Sequence, residues 1–312
     1  MKCTLCPRHC LADREKKETG ICGQTDEIKI ARAALHMWEE PCISGKSGSG
    51  TVFFCGCPLH CVFCQNDSIA NGTVGREISK EQLAETFLEL QEDGANNINL
   101  VTAGHFLPKV IFALQKAKKE GLTIPIVYNT GGYETVDAIK SLDGLVDIYL
   151  PDLKYVDSAL SEKYSHAKDY FFVASKAIAE MTRQTGKVRF QIKGTKKILT
   201  AEEYNELCEE EDAEILMTKG VIVRHLLLPG CVRDSKAVIA YLLKTYGDSI
   251  YISIMNQFTP LSNVKKYPEL NRKVTKKEYD TVIDYAISLG IENAFIQEGD
   301  VAEESFIPSF ES

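Results

Sequence analysis

Nothing in this chain is apolar for the length that a membrane-spanning helix requires, and its first residues, Met1-Lys-Cys-Thr-Leu-Cys6, lack the apolar core of a secretory leader. Clustered positive charge is missing too. The net charge is -8 and the pI about 5.4, which argues against a general nucleic-acid surface. There is no internal repeat and no low-complexity tract. A nucleotide loop is also absent. Ser44-Gly-Lys-Ser-Gly-Ser-Gly50 looks like one, but a Walker A motif needs glycine where Glu40 stands, so the stretch reads as a flexible approach to the next strand. These absences predict a cytoplasmic protein that engages neither nucleic acid nor membrane.

What is abundant is cysteine. There are eleven in 312 residues, and in a chain without an export signal their expected use is metal ligation in a reducing compartment. Cys57-Pro-Leu-His-Cys61-Val-Phe-Cys64 places three of them in a C-x3-C-x2-C loop, directly after the β-branched and aromatic run Thr51–Phe54. Structural zinc takes four protein ligands, so three thiols do not complete such a site. They do suit three irons of a [4Fe–4S] cube and leave the fourth iron open to a reactant.

A second set, Cys3, Cys6, Cys10 and Cys22, is spaced C-x2-C-x3-C-x11-C. Four thiols are a complete ligand set for zinc or for a second iron–sulfur cluster, and a bound metal would fold a segment too short for its own core. With no position left open, this set points to a structural or electron-transfer role.

From residue 51 onward the pattern alternates between short apolar runs and amphipathic stretches. Strands are predicted at Thr51–Phe54, Ile98–Val101, Ile124–Tyr128, Val146–Leu150, Val221–Leu228, Ile250–Met255 and Ala294–Gln297. Ser79-x-x-Gln82 and Thr275-x-x-Glu278 are capping boxes that open helices between them. The rhythm predicts an α/β fold, a partial (β/α)6-type TIM barrel behind a small cysteine-rich N-terminal segment. The expected boundaries are 1–48 for that segment, 49–300 for the barrel and 301–312 for a C-terminal tail. Residues 193–219, Lys-rich and then Glu-rich with Glu209–Asp212, read as a solvated insertion.

Chemistry in parallel barrels sits at the carboxyl ends of the strands. That rule gathers the Cys57–Cys64 loop, Thr102 and His105, Asn129 and Thr130, Asp152 and Lys154, Arg224 and His225, and Asn256 and Gln257 at one mouth. Arg224 suits a carboxylate or ribose because its donors are fixed and always charged. Lys154 and His225 are candidates for moving a proton. Cys231 is either a hydrogen-atom donor near the mouth or a small buried apolar residue.

Cys57, Cys61, Phe63 and Cys64 match, position by position, the C-x3-C-x-aromatic-C motif of the radical SAM enzymes, which this chain resembles. The resemblance narrows to the pyruvate formate-lyase activating enzymes, and within them to activating-enzyme-like proteins with an N-terminal cysteine knuckle. It rests on Cys6-Pro-Arg-x-Cys10, Glu39-Glu-Pro41, Gly48-Ser-Gly-Thr-Val-Phe-Phe54, Cys64-Gln-Asn66, Tyr128-Asn-Thr-Gly-Gly-Tyr133, Asp147–Lys154, Arg224–Gly230 and Tyr267–Arg272.

It implies a [4Fe–4S] cluster on Cys57, Cys61 and Cys64 whose open iron is chelated by S-adenosylmethionine, with Phe63 near the adenine. It also implies reductive cleavage to a 5′-deoxyadenosyl radical that abstracts hydrogen from a glycine of a partner protein. Asp152 and Lys154 would lie near the methionine end, beside Asn129 and Thr130, and Asn256 would complete the cofactor wall. Where many relatives carry Gly-Gly-Glu for the cofactor's amino group this chain has Val-Thr-Ala-Gly-His, so Thr102 and backbone carbonyls would take that role, with His105 as a pocket wall or an acid–base group.

Implied partners are a glycyl radical enzyme or peptide substrate and a one-electron donor such as flavodoxin or ferredoxin, under anaerobic conditions. The alternatives are radical modification of a small molecule or another peptide residue, and a non-catalytic zinc-binding scaffold.

Overall fold

The computed structural model describes residues 2–208 and 213–297; Glu209–Asp212 and the tail expected over 301–312 lie outside the described residues. The strands are β1 Ile28–His36, β2 Ser49–Phe54, β3 Arg76–Ile78, β4 Ile98–Val101, β5 Ile126–Thr130, β6 Ile148–Pro151, β7 Arg189–Ile192, β8 Ile198–Leu199, β9 Ile215–Leu226, β10 Tyr251–Met255 and β11 Ala294–Ile296. The helices are α1 Pro41–Ser44, α2 Asp67–Ala70, α3 Lys80–Glu92, α4 Leu107–Lys119, α5 Val136–Lys140, α6 Ser158–Ser165, α7 Tyr170–Thr185, α8 Ala201–Leu207, α9 Val232–Tyr246 and α10 Lys276–Ser288.

Among the described residues these strands form an 11-stranded sheet ordered β11-β10-β9-β6-β5-β4-β2-β1-β3, with β7 and β8 off that path beside β9. From β2 to β11 every neighbouring pair along this path is parallel. The two end strands, β11 and β3, do not pair with each other, so the fold is an open α/β partial barrel, as the βα rhythm predicts.

Helices cover the outside because their apolar residues recur on one face. In α3 the side chain of Ser79 accepts from the Gln82 backbone, Gln82 returns the bond, and Leu83, Phe87 and Leu90 face the sheet. Strand alternation then sorts two cores. Leu100, Tyr128, Tyr149 and Val223 pack outward under the helices, while Val127, Ile148, Leu150, Ile222 and Tyr251 pack with one another inside.

The inner cluster is closed from below by the segment expected to be solvated. Lys193 to Ile198 are exposed, but Leu199, Ala201, Tyr204, Ile215 and Met217 are buried against the amino-terminal ends of the strands. Tyr204 lies flat on Phe190 at 3.9 Å, and the Tyr251 hydroxyl donates to Asn205 Oδ1 at 2.7 Å. Among the described residues of this segment, Lys193, Lys196, Lys197, Glu202, Glu203 and Glu206 are exposed, so those charges take its outer face.

Strand β9 accordingly begins at Ile215, not Val221. It pairs antiparallel with β7, turns at Gly220 (φ +136) and then joins β6 and β10 in parallel. A Cβ at Gly220 would lie 3.0 Å from Val188 Cα.

Residues 44–50 are not a flexible approach either. Ser44 closes α1, a Cβ on Gly45 would lie 2.4 Å from Glu214 Oε1, and one on Gly50 would lie 2.9 Å from Asn97 O. The glycines are there because neighbouring elements come too close for a side chain.

Candidate active site

The three-cysteine loop leaves the carboxyl end of β2 through Gly56, whose φ of +88 turns the chain, and a Cβ there would lie 2.5 Å from Cys22 O. His60 at φ +49 makes the second turn, between the first two cysteines. The loop is pinned from every side. Val62 N donates to Tyr164 O at 2.9 Å, Asn263 Nδ2 to Cys64 O at 3.1 Å, and Gln65 Nε2 to Gln257 O at 2.8 Å. From the N-terminal segment, Arg8 Nε donates to Pro58 O at 2.8 Å, and His60 Nε2 meets Ile21 O at 2.7 Å.

Burial pushes all three thiols up, Cys57 to about 11, and their mutual repulsion adds to it at Cys57 and Cys64. The Lys154 ammonium pulls each of them back down. Ser165 Oγ donates to Cys61 Sγ at 3.0 Å.

Beside the loop, β5, β6 and β9 bring charged side chains together at their carboxyl ends. Lys154 Nζ lies 2.6 Å from Asp152 Oδ2, and Arg224 Nε lies 3.0 Å from Asp152 Oδ1. Burial opposes the charge on Asp152, but Lys154 and Arg224 outweigh it and hold the carboxyl below its usual range. Burial likewise opposes the charge on Lys154, which Asp152 outweighs, raising its pKa. Tyr170 braces this end: its hydroxyl lies 2.8 Å from both Gly131 O and Asp152 O and accepts from Lys154 N at 3.0 Å.

The donors of Arg224 are directed within the protein, to Asp152, to Asn129 Oδ1 at 2.7 Å and to Glu39 Oε2 at 3.5 Å. Glu39 is the participant that sequence reasoning passed over as a site residue. It also accepts from Asn99 Nδ2 at 3.0 Å and Asn129 Nδ2 at 3.3 Å. Its signal was present in Glu39-Glu-Pro41, since two acids just before a proline-started helix are an unusual neighbour for an apolar strand.

Not every residue placed at the mouth by the strand-end rule faces it. Thr130 turns its hydroxyl to the buried Glu134 at 2.7 Å. His105 is buried under the loop with Nε2 at 2.7 Å from Cys55 O, and burial lowers its pKa to about 4. His225 points opposite to Arg224, with Nδ1 at 2.8 Å from Leu153 O, and burial lowers it likewise to about 4. Thr102 is held in the left-handed region at φ +61, its amide on Asn129 O at 2.9 Å. Phe63 packs on Phe258 at 6.3 Å. Asn256 N donates to Gln297 Oε1 at 2.9 Å, while its own Oδ1 is buried without a partner among the described residues.

In the N-terminal set, a Cβ on Gly20 would lie 3.3 Å from Cys10 Sγ and 3.4 Å from Cys22 Sγ. Arg14 Nη1 donates to Cys3 Sγ at 3.8 Å, and burial raises the Cys6 thiol to about 12. Among the described residues, no three His, Cys, Asp or Glu side chains are drawn in to the spacing that one metal ion imposes.

Residues 51–186, running from β2 through α7, match the model of the Radical SAM superfamily. Over 91% of its length it is 27% identical to the uncharacterized protein MJ0674 of Methanocaldococcus jannaschii, 74% of which is covered. Among solved structures it is similar to HydG, a maturase of the [FeFe]-hydrogenase, with a TM-score of 0.48, 13% identity and coverage of 79% of this chain and 51% of that one. It is also similar to Streptococcus suis SuiB bound to precursor peptide SuiA, with a TM-score of 0.47, 12% identity and coverage of 78% and 47%. The chain spans about half the length of these two structures.

The superfamily implies a [4Fe–4S] cluster and S-adenosylmethionine, and the residues here fit both. Cys57, Cys61 and Cys64 stand in one loop, close enough for their charges to act on one another and for the Lys154 ammonium to act on all three, a donor set that suits three irons. Asn256 Oδ1, just past the end of β10, is a buried acceptor without a partner among the described residues and suits a donor from the cofactor.

Proposed function

We propose that this chain is a radical SAM enzyme that abstracts hydrogen from a glycine of a partner protein, as an activating enzyme of the glycyl radical kind. The observation that carries it is the set of Cys57, Cys61 and Cys64 at the carboxyl end of β2, within the electrostatic reach of Lys154. When bound, the cluster and S-adenosylmethionine supply electron-driven cleavage of a carbon–sulfur bond and a 5′-deoxyadenosyl radical.

The chain's own part is binding, orientation and exclusion of water. Cys57, Cys61 and Cys64 would hold three irons. Phe63 with Phe258 and Asn256 would wall the cofactor's base, and Asp152 with Lys154 would offer a carboxylate and an ammonium to its charged end. Asn129, Thr102 and Thr130 shape the strand ends between them. Arg224, its donors engaged by Asp152, Asn129 and Glu39, fixes the direction of Asp152 in place of touching the cofactor. His105 and His225, neutral and turned away, leave Lys154 as the proton-bearing group at the mouth.

The glycine substrate rests on the activating-enzyme resemblance of the motifs from Cys6 to Arg272. A flavodoxin or ferredoxin would supply the electron, and Cys3, Cys6, Cys10 and Cys22 would hold zinc or a second iron–sulfur cluster.

The test is anaerobic reconstitution followed by iron, sulfide and zinc analysis and a dithionite-driven assay for 5′-deoxyadenosine. About four irons per chain, or about eight with a second cluster, together with product release and their loss at the radical loop in Cys61→Ala, are expected. Zinc alone, with no product, overturns the proposal. Deuterium transfer from a labelled glycine of a candidate partner tests the substrate.

A further inference from the structure

The Cys6-Pro-Arg-x-Cys10 motif contributes one side chain that is not a thiol, and it reaches the cluster loop. Arg8 donates through Nε to Pro58 O at 2.8 Å, through Nη1 to His166 O at 2.5 Å and through Nη2 to Ser165 O at 3.2 Å, with its carbon over the Tyr133 ring at 5.2 Å. It thereby fastens the last turn of α6 to the loop. That turn ends with His166 in the left-handed region at φ +52, so its final carbonyls face outward and need donors.

The same turn sends one hydroxyl to a cluster cysteine. Ser165 is fully buried, and its Oγ lies 3.0 Å from Cys61 Sγ and 2.9 Å from the Tyr155 hydroxyl. A serine hydroxyl has one hydrogen. Given to Cys61, it leaves Ser165 as the acceptor from Tyr155, whose buried phenol keeps its proton. The order is therefore Tyr155 to Ser165 to Cys61, and a hydroxyl that is itself accepting donates more strongly.

Resting on the radical SAM reading of this loop, we propose that the Tyr155–Ser165 chain, held in place by Arg8, sets the reduction potential of the cluster bound at Cys61. One-electron reduction adds negative charge to the cluster and its sulfurs. A donor on a ligating sulfur stabilises that added charge, and so does the guanidinium that neutralises the carbonyl end of α6 beside it. Both favour the reduced form, the form from which an electron passes on to the cofactor. Ser165, Tyr155 and Arg8 are positioning residues; none of them touches substrate.

The experiment is a dithionite titration of the reconstituted full-length chain, without S-adenosylmethionine, followed by the paramagnetic signal of the reduced cluster, with iron content matched among variants. Ser165→Ala is expected to lower the reduced-to-oxidised ratio at a fixed poise roughly tenfold, equivalent to about 59 mV for a one-electron couple. Tyr155→Phe and Arg8→Gln shift it the same way by less, and Ser165→Thr, which keeps the hydroxyl, restores the wild-type value. If Ser165→Ala takes up no cluster, Tyr155→Phe still reads the chain. Wild-type potentials in Ser165→Ala and Tyr155→Phe overturn this inference alone, whereas a wild-type chain that binds no cluster at all overturns the reading beneath it.

Discussion

At the amino-terminal end of the barrel Phe190 lies flat on Tyr204, with Tyr251 edge-on to Phe190 at 5.5 Å; at the carboxyl end Asp152, Lys154, Arg224 and Glu39 share one largely buried network. One end is closed by apolar area, the other by charges that satisfy each other. Apolar packing gains stability from burial itself. A buried ion network holds its shape only while every partner is present, and loses several kcal/mol when one is removed. The floor can therefore carry stability while the mouth carries geometry.

Asp152→Asn attacks the mouth at its centre and should have the largest effect. It leaves Lys154 and Arg224 facing a neutral amide, at a cost of roughly 3–5 kcal/mol in folding and on the order of 100-fold in 5′-deoxyadenosine release. Chemical unfolding and a product assay on the same preparation read both. Near-wild-type release would mean that Asp152 does not orient the charged end of the cofactor.

Tyr204→Ala strikes the floor. Removing a stacked aromatic from a filled core should cost about 3–5 kcal/mol, while the activity per folded, cluster-loaded molecule stays within about twofold. If activity fell in step with Asp152→Asn, the two ends would not be separable, and the 193–219 segment would have to be counted as part of the site.

How far the sequence foretold each end follows from the same contrast. The parallel strands β4 and β10, expected at Ile98–Val101 and Ile250–Met255, and the capped helices α3 and α10 follow from the sequence because periodicity and capping are local properties. The cysteine loop was readable for the same reason, its three thiols lying within eight residues. The 193–219 segment reads as solvated because Lys193–Ile198 and Glu209–Asp212 dominate its composition, while the residues that bury, Leu199, Tyr204, Ile215 and Met217, are scattered around them. Strand β1 was hidden inside the cysteine-rich segment, and its pairing with β2 is antiparallel, outside the βα rhythm. Glu39 was out of reach because its partners Asn99, Asn129 and Arg224 are distant in the chain. The strand-end rule grouped His105, Thr130 and His225 at the mouth because it fixes position along a strand but not the face on which a side chain stands.

Those two histidines give the comparison a pH dependence. Burial lowers His105 and His225 to about 4 from an ordinary value of 6.5. Between these values the unfolded rings take up protons that the folded rings refuse, so stability is complete above pH 6.5 and declines as pH falls toward 4. By pH 5 the loss should be about 2 kcal/mol per ring. Unfolding midpoints at pH 7 and pH 5 measure it, and His225→Gln should remove one ring's share of the slope. An unchanged slope in that variant would mean that His225 titrates in the fold as it does in water.

The smallest effect expected belongs to Thr102. A β-branched residue at φ +61 is strained by roughly 1–3 kcal/mol, held there by its amide bond to Asn129 O. Glycine relieves the strain but costs about 0.5–1 kcal/mol in chain entropy, so Thr102→Gly should gain about 1 kcal/mol, a rise of a few degrees at most in thermal midpoint. The activity of that variant decides why a threonine stands in a glycine's conformation at the mouth. Unchanged product release with higher stability would make the strain a tolerated feature of the strand end. Higher stability with a raised KM for S-adenosylmethionine would mean that the Thr102 hydroxyl touches the cofactor, so that the mouth keeps local strain in return for a contact which the apolar floor has no need to make.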